Sequence, residues 1–372
     1  MYGYEELYIK AKSGIIVDDK TGKVLWSKRP DKKRYPASTL KIMTGHLMIK
    51  HVNMHKMITA PEDVRTIGEK SLYLQPGEQM RAREFLYAVL VCSANDAAHT
   101  VAKHISGSIP RFAALMNKEA RRIGCTNTHF TNPHGLNDKN CTTTARDLAL
   151  IAREAMKNRL FRDVVNTSFY KLDRPSGKGR LNFRSRNKFI RKDKEAIGIK
   201  TGYTRPAGPC FVGCKEKKGI RLINVILKGK NTVWDDNKAM FDWAFRNHRW
   251  FRVGKKGKKI SEAELKSGMN PRVNYALSKD VYCVFRKGEK CTAKVRYELF
   301  EDLEAPIKKG QKIGYAKFKD ASGFRQKIPL LALESVSRDR LSAKLLLGDK
   351  RVVSGFMFAL VIGSCALLFY KS

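Results

Sequence analysis

The chain is 372 residues long, which leaves room for two or three ordinary domains and excludes a miniprotein held together by staples. With 42% hydrophobic and 29% charged residues it is neither disordered nor collagen-like. Its 74 Lys+Arg against 35 Asp+Glu give a net charge of +39, which draws anionic surfaces, but the basic runs lack the aromatic interleaving of a strand-binding groove, so no nucleic acid is expected.

The start, Met1-Tyr2-Gly3-Tyr4-Glu5-Glu6, has neither a basic region nor an apolar run, and no signal peptide is visible. Residues 14–17 and 23–26 flank a turn ending in Gly22 and read as a β-hairpin. Helices then dominate to about residue 160. Pro36 suits a first helical turn, with Leu40, Met43 and Leu47 at helical spacing behind it. Further amphipathic runs cover 82–91, 96–104, 110–123 and 144–156, the last opened by Thr144 with Asp147 three residues on. Strand signals return at 196–201, 209–214 and 220–227, and a helix over 234–247 closes the unit. Strands at both ends of a helical middle predict an α+β, three-layer α/β/α domain over 1–250 whose terminal strands share a sheet.

Past residue 251, short runs at 281–285, 291–299, 311–318 and 328–333 predict a small all-β domain ending near 335. A basic connector over 336–351 follows. Residues 352–370 carry no charge, lie between Lys350-Arg351 and Lys371, and would span roughly 28 Å as a helix, which favours a transmembrane anchor over a core helix. The eight cysteines show no CxxC pair and no histidine at metal spacing, so no metal is expected. They read as buried thiols, with disulfides left open; Cys210 and Cys214 share a strand face roughly 13 Å apart, too far to bridge each other.

Three short elements stand in a telling order: Ser38-Thr39-Leu40-Lys41 opening a helix, Ser93-Ala94-Asn95 between two helices, and Lys200-Thr201-Gly202 ending a strand. Ser38 and Lys41 are three apart, so on a helix both face one cleft. A serine needs a base to become a nucleophile, and a lysine serves only where burial or neighbouring cations favour its neutral form, a bias to which Lys200 can contribute. Gly202 suits a close approach of backbone to substrate. On a plainer reading Ser93 and Asn95 cap the helix beginning at Asp96, His134 is structural in its Pro-His-Gly turn, and Cys92 is a small buried hydrophobe.

With Pro36-Ala37-Ser38, Ser93-Ala94-Asn95-Asp96-Ala97, Asn132-Pro133-His134-Gly135-Leu136 and Gly198-Ile199-Lys200-Thr201-Gly202-Tyr203-Thr204, the chain resembles nearly end to end the low-molecular-mass penicillin-binding proteins of the serine D-alanyl-D-alanine carboxypeptidase type. The resemblance implies that Ser38 attacks the peptide carbonyl, Lys41 accepts its proton, and Ser93 relays a proton to the leaving D-alanine. It also implies that Asn95 binds the substrate amide and orients Lys41, that the amides of Ser38 and Tyr203 form an oxyanion hole, and that Lys200 and Thr201 hold the terminal carboxylate. Arg186 is a looser match to a cleft arginine. No cofactor is implied. The expected partners are peptidoglycan stem peptides ending in D-Ala-D-Ala, β-lactam antibiotics and an anionic membrane surface. The expected place is the outer or periplasmic face of the bacterial cytoplasmic membrane, which requires an export signal removed from, or missing at, the start. Ala94 stands where glycine is common and Tyr203 where many relatives carry histidine, but neither removes a catalytic atom. The rival readings are a serine β-lactamase and a basic, membrane-tethered binder of anionic polymer.

Overall fold

In the computed structural model, which describes residues 6–176 and 179–339, the N-terminal hairpin forms around its Gly22 turn as β1 (Ser13–Asp18) and β2 (Val24–Lys28). A 3₁₀ turn over Ala37–Leu40 leads into α1 (Lys41–His51). The short pair β3 (Met57–Thr59) and β4 (Gln79–Arg81) brackets a loop. The helical middle comprises α2 (Ala82–Tyr87), α3 (Asn95–Ser106), α4 (Ile109–Ile123), α5 (Ala145–Ala155) and α6 (Arg159–Val165). Thr144 caps α5 as its sequence predicts, Oγ1 accepting from the Asp147 amide at 3.0 Å. A second hairpin, β5 (Phe169–Arg174) with β6 (Gly179–Arg184), and the single turn α7 (Lys188–Lys192) precede β7 (Ala196–Thr204), β8 (Gly208–Lys217), β9 (Ile220–Leu227) and α8 (Val233–Asn247).

The sheet order is β2-β1-β9-β8-β7, so the two ends of this unit do share one antiparallel sheet. Strand alternation assigns its two faces. Ile15, Val17, Val212, Ile223 and Val225 join the core that includes Met43 of α1 and Leu148 and Ile151 of α5. On the other face Phe211 meets Trp234 of α8 at 5.0 Å between ring centroids, and Asn224 Nδ2 donates to Asn237 Oδ1 at 3.0 Å. Helices therefore cover both faces, as the three-layer expectation requires.

One local expectation changes, and one hairpin appears that the sequence did not announce. The Lys200-Thr201-Gly202 stretch does not end its strand: β7 continues through Thr204, and all three residues lie inside an edge strand. The β5–β6 hairpin carries no clean apolar alternation, because the inward position after Leu172 is filled by Arg174.

The chain divides into two units, residues 1–248 and 249–372. In the second, β11 (Lys259–Glu264), β12 (Arg272–Leu277), β14 (Ala293–Leu299), β15 (Lys312–Asp320) and β16 (Arg325–Ala332) form a sheet in the order β11-β12-β16-β15-β14, while β10 (His248–Gly254) pairs with β13 (Val281–Arg286). Val273, Leu277, Ile313, Phe318, Ile328 and Leu330 form its core. The connector from 340 and the charge-free run at 352–370 lie outside the described residues. Among the described residues no helix is long and apolar enough to cross a membrane. Both Cys210 and Cys214 are buried in β8 as free thiols.

Candidate active site

Pro36 precedes the 3₁₀ turn, and Thr39 Oγ1 donates to its carbonyl at 2.5 Å. In 3₁₀ geometry residues i and i+3 eclipse, which stacks Lys41 over Ser38. Lys41 Nζ lies 3.1 Å from Ser38 Oγ and also donates to Asn95 Oδ1 at 2.7 Å and the His134 carbonyl at 2.6 Å. It is fully buried. Burial first, and then the charges of Lys200 and Lys70, push its pKa well below the usual lysine range. Three predicted residues thus meet directly at one amine.

Ser93 follows a five-residue π-turn over Ala88–Cys92 and adopts a left-handed backbone with φ 64°. Its Oγ is buried with no hydrogen-bond partner among the described residues. The capping reading of Ser93 and Asn95 fails. The N-cap of α3 is Ala94 without a side-chain cap, and Asn95, already inside the helix, sends Oδ1 to Lys41 and Nδ2 to the Gly68 carbonyl at 3.1 Å. Asp96 instead fastens the preceding loop, its carboxylate accepting from the amides of Leu72 at 3.0 Å and Leu74 at 3.1 Å.

On β7, Lys200 is buried, and that burial, with Lys70 and Arg186 near, lowers its pKa to about 7. A Cβ on Gly202 would stand 3.0 Å from the amide nitrogens of Ser38 and Thr39. Glycine is needed here because a side chain would press on the turn that carries Ser38. Thr201 is half-buried beside it and Tyr203 points outward, 57% exposed. Arg186 is exposed and lines a cavity shared with Lys70, Cys92 and Ala94. Burial pushes the Cys92 thiol up to about 12, so it stays protonated and unreactive at neutral pH.

Other contributions were not legible in the motifs. The Asn132-to-Leu136 turn acts through its backbone: the His134 carbonyl holds Lys41, and the Pro133 carbonyl accepts from Thr44 Oγ1 of α1 at 2.6 Å. Gly135, at φ +86°, lies so close that a Cβ would collide with the Ala37 carbonyl. The His134 ring is structural. Its Nδ1 accepts from the Leu136 amide at 3.2 Å, and burial beside Lys41 lowers its pKa to about 3. Lys70 also enters the cleft region, on a loop whose carbonyl at 70 accepts from the Asn95 amide at 2.6 Å. That loop is clamped by Arg174, which bonds both Glu78 oxygens at 2.6 Å and the Leu72 carbonyl at 3.0 Å with 1% of either charged side chain exposed.

Residues 3–231 match the D-alanyl-D-alanine carboxypeptidase family, and residues 251–338 match the penicillin-binding protein 5 C-terminal domain. The chain is 31% identical over 338 residues to D-alanyl-D-alanine carboxypeptidase DacA of Haemophilus influenzae, covering 84% of this chain and 82% of the relative. Against DacF of Bacillus subtilis the identity is 29% over 342 residues, 90% and 87% of the two chains. The crystal structure of penicillin-binding protein 5 from Haemophilus influenzae superposes with a TM-score of 0.73 at 28% identity, covering 90% of this chain and all of that one. The serine–lysine–asparagine cluster thus sits in a known setting, and the chain belongs to the D-alanyl-D-alanine carboxypeptidase family, as a serine hydrolase of the low-molecular-mass penicillin-binding type.

Proposed function

We propose that the protein is a membrane-anchored carboxypeptidase of the bacterial cell envelope that removes the terminal D-alanine from peptidoglycan stem peptides through an acyl-enzyme on Ser38. The observation that carries this reading is the buried Lys41 amine between Ser38 Oγ, Asn95 Oδ1 and the His134 carbonyl. A neutral amine has two N–H groups, which those two carbonyl oxygens accept, and one lone pair, which is then left facing the serine hydroxyl. Lys41 takes the Ser38 proton as Oγ bonds to the carbonyl carbon of the penultimate residue. The amides of Ser38 and Tyr203 stabilise the oxyanion. On collapse the C–N bond breaks, and the proton passes from Lys41 through Ser93 to the departing amine. The unpartnered Ser93 hydroxyl supports that relay. Asn95 Nδ2 is engaged by Gly68, which leaves Asn95 chiefly an orienter of Lys41. Lys200 and Thr201 hold the terminal carboxylate, with Arg186 adding positive charge from the neighbouring wall. Water then cleaves the ester, releasing the shortened peptide and restoring the hydroxyl proton.

A β-lactam presents an amide carbonyl and a carboxylate to the same groups and acylates Ser38. The 352–370 run anchors the chain, and the +39 surface favours the anionic face of the bilayer. Intact mass measurement after penicillin exposure, with peptide mapping, tests the assignment. One adduct per chain on Ser38 is expected, and Ser38→Ala should lose both the adduct and D-alanine release. An adduct on Ser93 or a cysteine would overturn it.

A further inference from the structure

A cavity of 530 Å³ opens beside the second motif, with Lys70, Cys92, Ala94, Arg184 and Arg186 on its wall. Three of these are cations, and Glu69 is the one acid lining it. The chain supplies partners where its buried cations are structural: Arg174 has Glu78, and Lys41 has two carbonyl oxygens. The side chains of Lys70, Arg184 and Arg186 make no hydrogen bond or ion pair among the described residues. Like charges gathered in a concave, partly desolvated wall repel one another, and an arriving anion relieves that repulsion.

The Lys70 backbone is held in place. Its carbonyl accepts from Asn95, and the Leu72 backbone is tied to Asp96 and Arg174. The ammonium is therefore presented from a fixed loop rather than a free one. Burial and the neighbouring Arg186 hold the Lys70 pKa below the usual lysine range, a bias that a bound carboxylate would cancel.

The proposed mechanism sends the terminal carboxylate to Lys200 and Thr201, and the leaving D-alanine adds one methyl group. A cavity this large exceeds what that residue can fill. We infer that Lys70, together with Arg184, forms a second anion subsite that takes a carboxylate on the acyl-donor side of the peptide, making Lys70 a specificity-determining residue. The inference rests on the carboxypeptidase reading above and adds a substrate class to it: peptides with an acidic group upstream of D-Ala-D-Ala.

Two blocked tripeptides, acetyl-Glu-D-Ala-D-Ala and acetyl-Gln-D-Ala-D-Ala, differ in that one charge. The unaltered chain should favour the glutamate peptide by about tenfold in kcat/KM, carried by KM and shrinking at high salt. Lys70→Ala should bring the ratio close to one, Lys70→Arg should keep it, and Lys70→Glu should invert it. Taking the ratio within each variant cancels general damage to the site. Arg184→Ala, at the end of β6, should lower the ratio with the Lys70 loop untouched. A ratio near one in the unaltered chain, or one that Lys70→Ala leaves unchanged, overturns the subsite. Hydrolysis of neither peptide by the unaltered chain would remove the carboxypeptidase reading and the subsite with it.

Discussion

Lys41 and Lys200 are both buried amines with lowered pKa values, yet the chemistry asks opposite things of them. In the proposed mechanism Lys41 must be neutral to accept a proton, and Lys200 must be charged to hold a carboxylate. The kcat/KM profile should therefore climb as Lys41 loses its proton and fall as Lys200 loses its own, with the falling limb near pH 7. Lys200→Arg keeps the charge at all working pH values, so that limb should move beyond pH ~10; an unmoved limb assigns it to another group. Stability follows the same shift. The folded chain binds fewer protons than the unfolded one between about 7 and the ordinary 10.5 of Lys200, so this group makes stability rise with pH across that window and fall as pH drops. Thermal melting at both ends of the window should show a steeper rise for the unaltered chain than for Lys200→Met. At the base, Lys41→Arg cannot give up its proton near neutrality, and acylation by penicillin should drop by ~10²-fold or more. Retention of more than about a tenth of the rate would pass the general-base role to another group.

Among the elements, the turn at Asn132–Leu136 and the hairpin β5–β6 support the site from two sides. A methyl on Gly135 must displace the Ala37 carbonyl and with it the Ser38 turn, so Gly135→Ala should slow penicillin labelling by about tenfold or more, read as a labelling rate on folded protein. Breaking the buried Arg174–Glu78 pair with Arg174→Met should cost about 3–5 kcal/mol in denaturant unfolding, and Glu78→Leu added to it should recover much of the loss. A cost below about 1 kcal/mol for the single change would mean that water already reaches the pair. These elements also mark where the sequence could and could not be read. The β1–β2 hairpin, β8, β9 and the amphipathic helices α3 to α5 were legible because Ile15, Val225 or Leu148 recur at the period of a strand or a helix. Ser38, Lys41 and Asn95 were legible because three motifs in a fixed order leave few alternatives. β5 was not, since Arg174 takes a slot that the pattern reserves for an apolar residue. β11 was not either, since it buries little beyond Ala263. The His134 carbonyl had no signature at all, because a backbone oxygen is the same in every residue. Lys70 looks in sequence like any solvated lysine.

In the whole molecule, every residue proposed for the chemistry lies between Ser38 and Tyr203, in the first unit, whereas the charge-free run starts at residue 352. A chain ending at Asp339 should release D-alanine from a soluble D-Ala-D-Ala peptide at close to the full-length rate. It should also float with anionic liposomes only at low salt, because surface attraction is screened within about 3 Å at 1 M. Lost turnover would show that the proposed anchor and the catalyst are not separable, and flotation that survives high salt would show a second apolar membrane contact elsewhere in the chain. The antiparallel pairing of β1 with β9 ties Ser13 to Leu227, and the wall of the nucleophile's turn comes from Gly202. A polypeptide emerging N-terminus first therefore exposes Ser38 long before it possesses the second half of the proposed oxyanion hole, the proposed carboxylate grip or a closed inner edge on β1. Over that interval the serine is one more hydroxyl on an incomplete sheet, without the groups proposed to hold penicillin. On this reading, sensitivity to the drug begins when the ninth strand docks rather than when the serine is made, so chains still being synthesised or exported form a reserve that an antibiotic pulse leaves intact.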